Sequence, residues 1–366
     1  PLLWHQQPGD ADEALALANS AQRSLDIGQG RLLRAVYSQL ADGSCRLLLV
    51  IHHLGVDGVS WRVLLEDLHR LYGTLQRGDA PDLPPSSCSY RDWAQSLRAY
   101  ACQPSVREEL PYWLQQTVSE GLGEPPRDNP RGRAQVALRE QISLRLDRTT
   151  TTRLLKVAPQ AYRTQINDLL LAALGRALCG WSGQHAVLVG LEGHGREDLF
   201  DGLDHSRTLG WFTSLFPVRL EAGEGDYGQA ITALRQRLRA VPNKGIGYGV
   251  LRYLADGQMR SRLAAQAQPR VTFNYLGQLD QSADGEALFS LLDERPGDAY
   301  AASAPLNNWL EIVGQVHDGE LALRCLFSRQ VFRPSSIERF MASFEEELLA
   351  VIDHCCAQIA QEAFAL

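Results

Sequence analysis

The chain has 366 residues, 45% hydrophobic and 22% charged, and carries a net charge of −7. That length holds about two domains, and the acidic balance excludes a nucleic-acid binder built on a dominant basic surface. No apolar run approaches the roughly 18 residues of a membrane-spanning helix, and Pro1-Leu2-Leu3-Trp4-His5 has none of the marks of a secretory signal, so it reads as a cut end within a longer polypeptide.

In chain order, the pattern predicts a helix from Ala11 to Leu25 and an edge strand over Arg31–Tyr37. The apolar run from Arg46 to Ile51, behind the turn Asp42-Gly43, predicts a buried strand. After Gly58 the period changes. Trp61, Leu64, Leu65, Leu68, Leu71 and Tyr72 recur at helical spacing behind Ser60, which is read as the N-cap. Gly121 to Ala134 is a loop or linker rich in Gly, Pro and charge, and Val136, Leu138, Ile142, Leu144 and Leu146 then alternate as a half-buried strand does. A long helix follows from Ile166 to Trp181, with a buried strand from Ala186 to Leu191 running into Glu192-Gly193-His194-Gly195-Arg196-Glu197. Trp309 to Val316 and Glu320 to Phe327 flank His317-Asp318-Gly319 as a hairpin, and Ile337 to Val351 form a last amphipathic helix. Helices and strands intermix throughout, so the fold class is α/β or α+β in two lobes, divided as 1–145 and 146–366.

His52-His53-x-x-x-Asp57-Gly58, between a strand and a helix, is the strongest chemical signal. Successive strand residues face opposite ways, so one imidazole meets a cleft and the other packs inward. A cleft imidazole exchanges protons near neutral pH. Asp57 either orients an imidazole or pairs with an Arg to fix the loop. A zinc site is unsupported, since the H-E-x-x-H spacing and an obvious third ligand are missing.

Glu192, at the end of a buried strand, is a second acid/base candidate; the alternative is a structural ion pair of Glu192 or Glu197 with Arg196 or Arg207. Pro242-Asn243-Lys244-Gly245-Ile246-Gly247-Tyr248-Gly249 opens a short helix, as an anion-binding start or simply a tight turn. Phe273-Asn274-Tyr275-Leu276-Gly277 offers an amide and a phenol to a cleft, or packs inside. No G-x-S-x-G elbow or P-loop is present. Seven cysteines without C-x-x-C spacing point to reduced thiols in a cytosolic protein.

Taken in order, these segments resemble the epimerization domain of nonribosomal peptide synthetases, within the condensation-domain superfamily. The resemblance is carried by His52-His-Leu-Gly-Val-Asp-Gly-Val-Ser-Trp61, Tyr162-Arg-Thr-Gln-Ile-Asn-Asp168, Glu192-Gly-His-Gly-Arg-Glu197, Leu209-Gly-Trp-Phe-Thr-Ser214, Pro242-Asn-Lys-Gly-Ile-Gly-Tyr-Gly249 and Phe273-Asn-Tyr-Leu-Gly277. It implies two chloramphenicol acetyltransferase-like lobes forming a V around a tunnel. The His-His motif lies further into the first lobe in that family, so this lobe is expected to be truncated at its start.

The implied activity is L-to-D epimerization of an aminoacyl or peptidyl thioester on the phosphopantetheine arm of an upstream peptidyl carrier protein. The implied setting is a cytoplasmic bacterial synthetase with neighbouring modules, acting on neither nucleic acid nor membrane. His53 and Glu192 are then the acid/base pair, and Asn274 and Tyr275 line the thioester. Asp57 and Arg196 hold the loops, with His52, Gly58 and Trp61 as support. The domain itself needs no metal or redox cofactor, since the arm belongs to the partner. The alternatives are a condensation domain, a dual condensation/epimerization domain, and a non-catalytic carrier-docking domain.

Overall fold

The computed structural model describes residues 2–85, 87–223, 226–278, 292 and 296–364. Its contacts divide the chain into two compact units: Pro1–Ser96, His194–Thr213 and Asp284–Ala301 form one, and Leu97–Gly193, Ser214–Ala283 and Ala302–Leu366 the other. These boundaries do not coincide with a division at 145/146. The return of residues 194–213 to the first unit rests on hydrogen bonds to Asp57 from residues more than a hundred positions away, which no local pattern displays.

In the first unit, strands Leu3–Gln6, Leu33–Gln39 and Cys45–Ile51 form a sheet in that order. The first pair is parallel and the second antiparallel. The expected edge strand is therefore central, because Leu3–Gln6 occupies its other side. Helix Ala11–Arg23 starts where the Asp10 side chain accepts from Glu13 N at 2.8 Å, as an N-cap should. Ala21 of this helix, Val36 and Val50 make a small core, with Trp4, Leu17, Leu25 and Leu48 packed on it. Only Val50 of Cys45–Ile51 is buried, so the strand expected to be fully buried is half-exposed.

Among the described residues the second unit has a seven-stranded sheet. Ser214–Glu221 runs antiparallel along the whole of Ala186–Gly193. The opposite edge of Ala186–Gly193 is shared by Leu122–Gly123 and Val271–Gln278, both parallel to it. Leu310–His317, Glu320–Ser328 and Arg139–Leu146 complete the sheet. A continuous apolar run suits Ala186–Gly193 because its first six residues are all buried. Helix Ile166–Ser182 is nearly apolar all round, and Leu169, Leu170, Leu171, Leu174 and Leu178 are fully enclosed. It packs against the long helix Pro334–Phe364, which supplies Ile337, Phe340, Phe344 and Leu348 to the core. Left-handed Asp318 and Gly319 (φ 51° and 76°) close the expected hairpin as a two-residue turn. Among the described residues, no helix is long and apolar enough to cross a membrane.

Candidate active-site residues in each unit

In the first unit the chain leaves strand Cys45–Ile51 and turns at once. His52 is extended, and its Nδ1 accepts from Leu54 N at 3.1 Å, capping the short 3₁₀ turn His53–Gly55. The pair of histidines thus lies beyond the strand, and the bend, not strand alternation, turns their side chains apart. The His53 imidazole is exposed and lies on the Trp211 ring, with centroids 4.1 Å apart and planes tilted by 35°.

Asp57, not Ser60, caps helix Gly58–Gln76, accepting from Ser60 N at 2.7 Å. Its second oxygen accepts from Phe212 N at 3.1 Å. Arg196 lies against the first oxygen, with Nη2 3.2 Å away, and the side chains of Arg196 and Asp57 are only 6% and 3% exposed. Burial alone would raise the Asp57 carboxyl. The bonds from Ser60 and Phe212 and the Arg196 charge outweigh it and hold the group below the usual Asp range.

Arg196 also donates to His205 O at 2.7 Å and to Ser60 Oγ at 3.0 Å, with its guanidinium over the Phe212 ring at 3.9 Å. Ser60 Oγ donates to Gly210 O and accepts from Gly210 N, at 3.0 and 3.1 Å. Tyr90 OH donates to Trp211 O at 2.7 Å. A Cβ on Gly210 would overlap the Tyr90 ring, so the loop carrying Trp211 needs glycine there. Of the alternatives for Asp57, the ion pair with Arg is the one formed.

In the second unit Leu191 pairs with Phe273 across parallel strands. The next residues on each are Glu192 and Asn274. Period-two alternation turns both from the buried Leu191/Phe273 side to the other face. There Asn274 Nδ2 donates to Glu192 Oε2 at 2.6 Å. Glu192 is exposed, because the apolar run stops one residue before it.

Tyr275 leaves on the opposite face from Asn274, so the expectation that both line one thioester meets the alternation of the strand. Its hydroxyl is buried without a partner among the described residues, and burial pushes the phenol up. Of the arginines considered for Glu192 and Glu197, Arg196 meets Asp57, and Arg207 meets Asp67 and Glu66. Glu197 meets His194 Nε2 at 3.2 Å.

The structure therefore joins Asp57 to Arg196, Glu192 to Asn274, and His53 to Trp211. Trp61 is half-buried on its helix, and a Cβ at Gly58 would meet no atom within 4 Å, so sterics do not demand glycine there. Sequence reasoning missed Trp211 and the bridging role of Ser60. The first stood inside a quoted motif without an assigned task. Among the described residues no three His, Cys, Asp or Glu side chains group as a metal ion would require.

A family model described as the condensation domain matches residues 5–365. Bacitracin synthase 3 of Bacillus licheniformis is 38% identical over 341 residues, which are 93% of this chain and 5% of that protein. Tyrocidine synthase 1 of Brevibacillus parabrevis is 37% identical over 344 residues, 91% of this chain and 31% of that protein. The chain thus spans a small part of the curated relatives it matches. The epimerization domain from the third module of tyrocidine synthetase B has a TM-score of 0.89 at 32% identity, over 97% of this chain and 80% of that one. The condensation domain of the Monacolin K polyketide synthase shares the fold at 17% identity and a TM-score of 0.70, over 97% of this chain and 80% of its own.

Proposed function

We propose that this chain, which belongs to the condensation-domain family and has its mixed α/β fold, inverts the Cα of an aminoacyl or peptidyl thioester from L to D. The substrate hangs on the phosphopantetheine arm of a peptidyl carrier protein, and the chain works within a synthetase of several modules. The observation that carries this reading is Glu192 held by Asn274 at 2.6 Å, a second acid/base group in addition to the histidine motif. Peptide-bond formation needs an amine acceptor and one base. Epimerization removes a proton from one face of Cα and delivers one to the other, so it needs two. The likeness to an epimerization domain at 32% identity supports the same choice.

A thioester acidifies its α-hydrogen because the enolate places charge on the carbonyl oxygen. Glu192 takes the proton as carboxylate, and His53 as imidazolium delivers one to the opposite face; the reverse reaction exchanges their roles. Asn274 carries two N–H donors. One orients Glu192 and the other is offered to the developing oxyanion, where a single donor is worth about 2.7–4 kcal/mol. Trp211 fixes the plane of the His53 ring. Asp57 and Arg196 act on His53 indirectly, by tying the Trp211 loop to the start of the helix. Tyr275 enters as a buried phenol behind Asn274.

The test is to load the carrier with an L-aminoacyl group in D2O and follow Cα deuterium and chirality. The expected result is D product from the wild type, with inversion lost in both Glu192→Gln and His53→Ala. Inversion persisting in both variants would sink the two-base reading. Amide formation with an added aminoacyl acceptor, without α-exchange, would favour condensation instead.

A further inference from the structure

The Pro242–Gly249 segment is not an open anion-binding loop. Asn243 and Lys244 are both left-handed (φ 42° and 52°), followed by Gly245 at φ 91°. Residues with a Cβ rarely adopt this region, and two in succession persist only when neighbours hold them. The holder is Glu109, 6% exposed, at the start of helix Leu110–Gln116. Its Oε1 accepts from Asn243 Nδ2 at 2.8 Å and its Oε2 from Trp113 Nε1 at 3.0 Å. Asn243 Nδ2 also donates to Tyr100 OH at 3.2 Å. A Cβ on Gly247 would overlap the Glu109 carboxylate, so that glycine is what lets the carboxylate reach the first turn of helix Ile246–Tyr253. The helix has no side-chain cap of its own, and a carboxylate there complements the positive end of its dipole.

The turn held in this way bears on the strand end that carries Glu192. A Cβ on Gly193 would lie 3.5 Å from Lys244 O, and one on Gly245 would overlap the Phe216 ring. Phe216 is the cross-strand partner of Leu191, and Leu215 that of Glu192. The path from Glu109 to Glu192 runs from the carboxylate through the Asn243 turn to Gly245, which sits close against the Phe216 ring, and from the Phe216 strand across its pairing to Leu191 and Glu192.

We propose that Glu109 is a positioning residue for Glu192, acting through the Asn243–Gly245 turn; the proposal rests on the epimerase activity proposed for the chain. Glu109 touches no reacting atom. It sets the wall against which the Glu192 strand end is seated, and so acts on the proton-transfer step and not on carrier binding.

The test uses the full chain and its L-aminoacyl-loaded carrier domain in D2O, well below the melting temperature, with folding checked by circular dichroism. Asn243→Asp faces Glu109 with a second carboxylate. The expected result is a kcat for α-hydrogen exchange about tenfold lower, with KM for the loaded carrier within twofold of wild type. Adding Glu109→Gln to Asn243→Asp reverses the hydrogen bond: the introduced glutamine keeps an acceptor for Trp113 and donates to the introduced aspartate. This pair is expected to recover kcat to within about threefold of wild type. Glu108→Gln, on the exposed neighbour, leaves the rate unchanged. A folded Asn243→Asp chain exchanging at the wild-type rate, or an Asn243→Asp defect that Glu109→Gln does not relieve, would overturn the positioning role alone. A wild-type chain that exchanges no α-hydrogen would overturn it together with the epimerase reading.

Discussion

Asn274 Nδ2 donates to Glu192 Oε2 at 2.6 Å, across adjacent parallel strands and between residues 82 apart in sequence. The bond ties the Glu192 motif to the Phe273-Asn274-Tyr275 motif. Asn274→Ala is expected to lower kcat for α-exchange about a hundredfold, in the range found when a preorganised donor is removed. Asn274→Asp is expected to do at least as much harm, since it places a carboxylate against Glu192. Single-turnover exchange with the loaded carrier measures both.

His53 rests on Trp211 with ring centroids 4.1 Å apart. Trp211→Phe keeps a ring under the imidazole and is expected to cost about threefold in kcat. Trp211→Ala removes it and is expected to cost about tenfold or more, in line with the loss caused by misplacing a catalytic group. Equal rates for wild type and Trp211→Ala would show that the stacking has no part in the chemistry.

Asp57 and Arg196 form the most deeply buried ion pair around the histidine turn. Asp57→Ala leaves the Arg196 charge without its partner and removes a helix cap, so it is expected to destabilise the first unit by about 3–5 kcal/mol. Urea unfolding at neutral pH measures this.

The same carboxyl sets an acid limit. Its pKa is held below the unfolded value, so its stabilisation is fully present above about pH 4 and is lost as pH falls through the lowered folded value. Urea midpoints for wild type are expected to fall through this acid window. The Asp57→Asn chain, already destabilised, is expected to fall less over the same interval.

Gly210→Ala drives a Cβ into the Tyr90 ring. Overpacking of this kind costs about 1–3 kcal/mol, and it moves the backbone that carries Trp211. The expected outcome is a lower melting temperature together with a kcat loss similar to that of Trp211→Ala, seen by calorimetry and by exchange.

What could be read from the chain alone was what repeats locally. Helix Ile166–Ser182 was legible to within a residue because its apolar positions leave no alternative, and the Asp318-Gly319 hairpin because only two left-handed residues close it. The helix after the histidines was legible, but its cap was not: Asp57 and Ser60 are both good N-caps, and the choice depends on Phe212 and Gly210, about 150 residues away. Strand Ser214–Glu221 went unread because Pro217 interrupts it. Proline is tolerated there because this strand is paired on one side only among the described residues. The candidate residues His53, Glu192 and Asn274 were legible as residue types within or just beyond strands. Their pairings were not, since Trp211 reaches His53, and Asn274 reaches Glu192, through the fold and not through spacing.

The most direct measurement of the central claim is the isotope content of the first-turnover product in D2O, separated by Cα configuration. A two-base epimerase gives a D-thioester carrying deuterium at Cα, because the delivered proton comes from a group other than the one that abstracts. A D product that keeps its original protium, or an L substrate that neither exchanges nor inverts, would contradict the account.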